Sequence, residues 1–154
     1  MNKPIIPQNA FIFVGDGRKA LFLRNAGDEK FPNFVTERVF LDENPATHEQ
    51  GADRPGRGFA HAGSERRSAM ETTDWHELEE HRFTQRVAQA LEALVRDRHA
   101  PAVVIVAPPR ALADLREGLH PDAKARVVLE INKDLTKLPV WEIEKHVMAE
   151  LRAL

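Results

Sequence analysis

The sequence contains no cysteine. That excludes a disulfide framework, a thiolate zinc site, an iron–sulfur cluster and a cysteine nucleophile, and it fits a reducing compartment. Strong charge of one sign is also missing: 22 basic residues face 24 acidic ones, for a formal net charge of -2. Such a molecule has no overall attractive field for phosphate, so any contact with nucleic acid must rest on a local basic patch. Long apolar runs are absent too. The stretch Phe11 to Val14 stops at Gly15 and Asp16, too short for a signal segment or a membrane span, so the expected location is cytoplasmic with no membrane partner. What remains, with 42% hydrophobic and 30% charged residues, is the composition of an ordinary globular protein. The 154 residues suit one domain, 1–154, whose folding buries roughly two thirds of the unfolded surface. Neither a metal nor another cofactor is needed to hold such a core together, and none is expected.

Ala10 to Val14 (AFIFV) and Lys19 to Arg24 (KALFLR) are short runs of β-formers joined by Gly15-Asp16-Gly17, a hairpin pattern. The unbroken apolar character of Phe11 to Val14 predicts a strand covered on both faces. Turn residues follow from Asn25 to Asn33, and Phe34 to Leu41 (FVTERVFL) supplies a third strand through its β-branched and aromatic residues.

Asp74 is a suitable N-cap with Glu77 three positions on, and Phe83, Val87, Ala90, Leu91 and Leu94 repeat at helical spacing as far as Arg98, which predicts a helix starting at Asp74. Ala102 to Ala107 (AVVIVA) is wholly apolar and β-branched, as in a central parallel strand. Pro108-Pro109 then opens a helix over Arg110 to Glu117, with Gly118 expected as its C-cap. Arg126 to Ile131 predicts the last strand. A closing helix follows Pro139, with Val140, Ile143, Val147, Leu151 and Leu154 on one stripe. The order β-β-β-α-β-α-β-α implies an α/β protein with a mixed five-stranded sheet and helices on both faces, since each strand-helix-strand crossover returns parallel. Ribonuclease-H-like three-layer domains have this order, as do other α/β layouts.

One stretch fits none of these elements. Between Asp42 and Asp74 there is no Val, Ile, Leu or Trp, while Gly51, Gly56, Gly58, Gly63, Arg54, Arg57, Arg66 and Arg67 crowd in. A polar connection of this length, 42–74, buries no core of its own and is a candidate functional loop. Guanidinium forks on glycine-rich backbone suit phosphates or carboxylates. The competing reading is a solvated loop in which those arginines pair with Glu49, Asp53, Glu65 and Glu71.

Other constellations are weaker. Asp16 is a possible metal carboxylate, with Asp42, Glu43 and Glu130 as loose companions, because metal-assisted cleavage needs several carboxylates on one or two ions; a hairpin turn also accounts for it. His76-Glu77-Leu78-Glu79-Glu80-His81 has histidines five apart, off the shared face that a zinc helix needs, so its acids and histidines read as i,i+4 surface pairs. Ser64 and Ser68 lie in no nucleophile elbow.

Four segments in order, FVGDGRKALFL (13–23), GADRPGRGF (51–59), HRFTQRVAQAL (81–91) and EINKDLTKLP (130–139), resemble the bacterial "protein required for attachment to host cells" family over nearly the whole chain. That family is similar to the middle domain of archaeo-eukaryotic peptide-release factors, a ribonuclease-H-like fold with a GRGGQ loop between third strand and first helix. Gly56-Arg57-Gly58 stands at the equivalent place, but Phe59 and Ala60 replace the second glycine and the glutamine. The resemblance thus implies an ancestry related to RNA or the ribosome, without the group that positions the hydrolytic water.

The leading expectation is therefore a cytoplasmic binding module, not an enzyme. Its loop engages RNA, the ribosome or another anionic partner through Arg54, Gly56, Arg57, Gly58, His61, Arg66 and Arg67. The alternatives are a translation-linked hydrolase, a metal-dependent nuclease using Asp16, or a structural protein that forms a homodimer through a helix face.

Overall fold

The computed structural model describes residues 3–42 and 65–154, with side chains described from 74 onward in the second stretch. Strand β1 (Phe11–Gly15) and strand β2 (Lys19–Asn25) form the expected antiparallel hairpin. Gly17, at φ 95°, takes the left-handed position of its turn, a conformation open to glycine at no steric cost. Strand β3 (Phe34–Leu41) pairs antiparallel with β2. Strands β4 (Val103–Val106) and β5 (Val127–Ile131) extend the other side of β1, both parallel to it. The sheet order is β3-β2-β1-β4-β5.

The register of β2 with β3 slips once. Phe22 faces Arg38 and Leu23 faces Thr36, so Glu37 is an extra residue in β3. Such a bulge turns the strand and re-aims a side chain; here Glu37 Oε1 meets the guanidinium of Arg24 and lies 3.4 Å from Arg98 Nη2.

Helix α1 (Glu65–Arg98) is longer than its apolar periodicity predicts. It begins nine residues before Asp74, which is interior and not an N-cap. The reason is physical: periodicity reports burial, and among the described side chains of the helix the first buried apolar one is Phe83. Between Asp74 and Phe83 the large apolar side chains, Trp75 and Leu78, are exposed, so only propensity marks that part of the helix. Helix α2 (Pro109–Gly118) has proline in its first turn, as expected. Gly118 is its last residue and its C-cap is Leu119. Gly118 is small for a different reason from capping: a Cβ there would stand 2.9 Å from Gln85 Oε1 and 3.1 Å from Ala88 Cβ, both on α1. The one-turn helix α3 (Pro121–Lys124) has no sequence expectation behind it. Helix α4 (Val140–Arg152) buries Ile143, Val147 and Met148, whereas Leu154 is exposed and off the stripe.

Helices cover both faces of the sheet. Phe11, Phe13, Phe22, Val103 and Ile105 pack with Phe83, Val87 and Leu91 of α1 and Leu112 and Leu115 of α2. The alternate residues Ile12, Val14, Leu21, Leu23, Val104 and Val106 pack with Ile143, Val147 and Met148 of α4. The continuous run of β1 is thereby explained, since both sets of its side chains are buried at about 2 kcal/mol per large apolar group. On the α1 face Phe13, Phe22 and Phe40 step across the sheet with centroids 6.0 and 4.8 Å apart.

The opposite end of the hairpin is held by Asn25, which is fully buried. Its Oδ1 accepts from the N–H groups of Gly27 and Asn33, while Nδ2 donates to the carbonyls of Ile6, Pro7 and Asp28. One amide thus ties the N-terminal segment and the β2-β3 connection to the sheet.

Candidate functional site

Four strands deliver their carboxyl ends to one end of the sheet. β4 and β5 run parallel to β1, and β3 does so through two antiparallel steps. Ligands of α/β sheets favour this end, where strands hand over to connecting loops. The polar stretch leaves from it: the Asp42 backbone N–H donates to Arg18 O at 2.7 Å, which places the end of β3 against the hairpin turn. The stretch rejoins described structure at Glu65, from which α1 descends to Glu80 beside Gly17. Those 15 residues of helix advance roughly 22 Å at 1.5 Å per residue, so the first turns of α1 rise well beyond the sheet.

Asp16 is engaged inside the fold. Its Oδ1 accepts from the backbone N–H groups of Arg18 and Lys19 at 2.9 and 2.8 Å, and its Oδ2 lies 3.2 Å from Thr136 Oγ1. That is an Asx-type turn: a short carboxylate stands in for a backbone acceptor and closes the hairpin. The same Thr136 hydroxyl lies 2.6 Å from Asp134 Oδ1, which also accepts the Thr136 N–H at 3.0 Å. Two carboxylates therefore share one hydroxyl. The companions do not converge on Asp16. Glu130 is held by the Arg116 guanidinium of α2, whose hydrogen bonds keep its carboxyl below the usual range against the opposing effect of burial. Asp42 sits at the hairpin through its backbone, and Glu43 lies outside the described residues. Among the described residues no group of three or more His, Asp or Glu is placed to hold a metal ion.

Glu77, Glu80 and His81 of α1 find partners on other elements, whereas Glu79 pairs along the helix with Arg82, three positions on, at 3.4 Å. Glu77 Oε1 is 3.3 Å from Arg110 Nη1 on α2, Glu80 Oε1 is 3.4 Å from Arg18 Nε, and His81 Nδ1 is 3.6 Å from Asp114 Oδ1. The expected i,i+4 pairs are replaced because α2 and the hairpin flank this face of α1. Of the residues singled out in the polar stretch, Arg54, Gly56, Arg57, Gly58 and His61 lie outside the described residues. Arg66 and Arg67 occupy the first turn of α1.

Thr136 and Asp134 are the two polar residues that sequence reasoning missed. The D-x-T spacing is a turn signal, but nothing in it points to a hairpin 120 positions away. Within the described scaffold the guanidiniums are largely engaged: Arg18, Arg24, Arg82, Arg98, Arg110 and Arg116 each meet a carboxylate, and Arg38 lies over Phe40. No described helix is long and apolar enough to cross a membrane.

A sequence-family model described as "protein required for attachment to host cells" matches residues 11–147, from the first strand into the closing helix. No curated protein matches the chain.

Proposed function

The chain belongs to the family of proteins required for attachment to host cells, and we propose that it acts as a binding module, engaging RNA or the ribosome through the Gly/Arg-rich stretch 42–74. What supports this reading is how the arginines are distributed along the chain. Those of the scaffold around the carboxyl end of the sheet face carboxylates of the same chain. Arg54, Arg57, Arg66 and Arg67 belong to the stretch that leaves from that same end, and forked donors of this kind suit phosphate oxygens.

The sheet order also supports reading the fold as ribonuclease-H-like, three antiparallel strands being continued by two parallel ones. In that reading the stretch between third strand and first helix corresponds to the release-factor loop. With Phe59 and Ala60 where glycine and glutamine stand in that loop, binding is favoured over ester hydrolysis. A cytoplasmic location accords with an RNA partner.

The test is binding of single-stranded RNA and of ribosomes across a salt series, by wild type and by a variant with Arg54, Arg57, Arg66 and Arg67 all changed to Ala. The wild type is expected to lose affinity with salt at a log–log slope of about -0.7 per phosphate contacted. The variant should bind more weakly and with a shallower slope. Equal, negligible binding by both proteins overturns the proposal.

A further inference from the structure

At the other end of the sheet, where β4 and β5 begin, a cleft of about 450 Å³ opens between the last turns of α1 and the segment from His120 to Arg126. Its size falls in the range of small-molecule sites. The floor is apolar, with Val95 and Ala123 buried. The rim carries two guanidiniums, Arg96 and Arg126, and two imidazoles, His99 and His120.

Two carboxylates share the rim: Glu92 is turned toward the protein, Asp122 is exposed to solvent, and beside them Arg96 Nε lies 3.8 Å from Asp97 Oδ1. Glu92 Oε1 accepts the backbone N–H of His120. Asp122 Oδ2 lies 3.6 Å from His120 Nδ1, yet that same ring nitrogen accepts the Asp122 backbone N–H at 3.1 Å. A nitrogen accepting there carries no proton, so the ring proton is assigned to Nε2, which is left as a donor. Arg126 is oriented in advance, because Nη1 donates to Ala100 O at 2.7 Å while its other N–H groups remain for the cleft.

His99 supplies a second, independent observation. It sits at φ 51°, in the left-handed position that ends α1, with Ala100 N–H returning to Val95 O at 3.0 Å and His99 N–H to Arg96 O at 3.4 Å. This is the Schellman arrangement, whose left-handed residue is usually glycine. A side chain at that position costs stability, and here the costly side chain lines the cleft. Backbone strain of this kind points to a role for the residue that bears it.

We propose that the cleft binds a small organic phosphate monoester. The phosphate is held by Arg96 and Arg126, with His99 and His120 as further donors, and the organic group lies against Val95 and Ala123. Phosphate fits better than carboxylate because four donor-bearing residues line one cleft, and a phosphate offers three oxygens to a carboxylate's two.

The experiment is an NMR titration of the full chain with inorganic phosphate, phenyl phosphate and benzoate. Saturable shifts are expected at the amides of residues 95–99 and 120–126. Phenyl phosphate should bind at least threefold tighter than inorganic phosphate and at least fivefold tighter than benzoate. Arg96→Gln and His99→Gly should each weaken phenyl phosphate at least threefold, while His99→Gly raises Tm by about 2 °C as the strain is released. A gain in stability together with a loss of binding separates a ligand role from a structural one. Benzoate binding as tight as phenyl phosphate, unsaturable shifts spread over exposed arginines, or wild-type affinity in the Arg96→Gln/His99→Gly double variant each overturns the proposal.

Discussion

Thr136 Oγ1 stands 3.2 Å from Asp16 Oδ2, joining the segment before the closing helix to the first hairpin across 120 positions of sequence. Thr136 is 2% exposed, and its hydroxyl also reaches Asp134. Removing the hydroxyl leaves two carboxylates facing an apolar group, so Thr136→Val is expected to cost about 1–3 kcal/mol. Thr136→Ser, which keeps the donor, should cost less than half as much. Urea denaturation of both variants checks this, and a serine variant that loses more than a valine variant of near wild-type stability would show that the methyl group, not the hydroxyl, is what matters.

Asp16 carries a linked prediction. Asp16→Asn retains Oδ1 as the acceptor for the Arg18 and Lys19 N–H groups, whereas Asp16→Ala removes it. The alanine variant should therefore lose about 1–2 kcal/mol and the asparagine variant clearly less. If asparagine proves as damaging as alanine, the charge at this position matters beyond the turn, and the carboxylate reading of Asp16 regains ground.

The packing of α1 against α2 depends on a missing Cβ. Gly118→Ala places a methyl 2.9 Å from Gln85 Oε1, 3.0 Å from Gln85 Nε2 and 3.1 Å from Ala88 Cβ. The Gln85 amide is the end of a flexible side chain and can shift; Ala88 is fully buried on α1 and cannot. Overpacking should outweigh the better helix propensity of alanine, for a net loss of about 1 kcal/mol. Calorimetry showing a stabilised variant would mean that the two helices separate at little cost.

These cases mark how far the sequence could be read. The strands were legible to within a residue or two because β-branched and aromatic runs are themselves the core. The start of α1 was not, since Asp74 and Glu77 imitate a capping box while the helix begins at Glu65, and the exposed Trp75 and Leu78 leave no buried stripe ahead of Phe83. Gly118 was legible as a helix end but not as a contact, because close approach depends on where α1 lies. In the site, Asp16 was visible as a turn residue; its link to Thr136 is tertiary and has no local trace. The bulge that aims Glu37 at Arg24 and Arg98 is likewise invisible in FVTERVFL, where strict alternation predicts another face.

That bulge gives the fold an acid-sensitive contact. The hydrogen bond from Arg24, reinforced by the charges of Arg24 and Arg98, holds the Glu37 carboxyl below its ordinary value of 4.5 despite some burial. A carboxyl depressed in the folded state stabilises it above the unfolded value and stops doing so as pH falls through the folded one. Wild type should therefore lose stability below about pH 4.5 faster than Glu37→Gln. At neutral pH the variant should be the less stable by about 1 kcal/mol or less, since the contact is partly exposed. The two curves should converge as pH falls through the lowered value and the Glu37 carboxyl takes up its proton. Parallel curves from pH 7 to 3 would remove Glu37 from the acid response.

Asn25 is the position where the fold should tolerate least. Five hydrogen bonds converge on its side chain, two received by Oδ1 and three given by Nδ2. Asn25→Leu fills a similar volume but strands two N–H groups and three carbonyls in a part-buried region, each at about 1–3 kcal/mol if nothing replaces the partner. Relaxation and entering water will recover part of that, so a loss of roughly 3–5 kcal/mol is expected, enough to leave much of the chain unfolded at 37 °C. Asn25→Asp discriminates further. It keeps the acceptor for Gly27 and Asn33 while turning a second, charged oxygen toward the carbonyls of Ile6, Pro7 and Asp28, so it should be strongly destabilised at pH 7 and partly restored near pH 4, where a protonated carboxyl again donates. Amide exchange would locate the damage: protection should fall first in residues 6–10 and 25–33, ahead of the centre of the sheet. Uniform loss of protection would mean that Asn25 supports the whole core and not only the end of the hairpin.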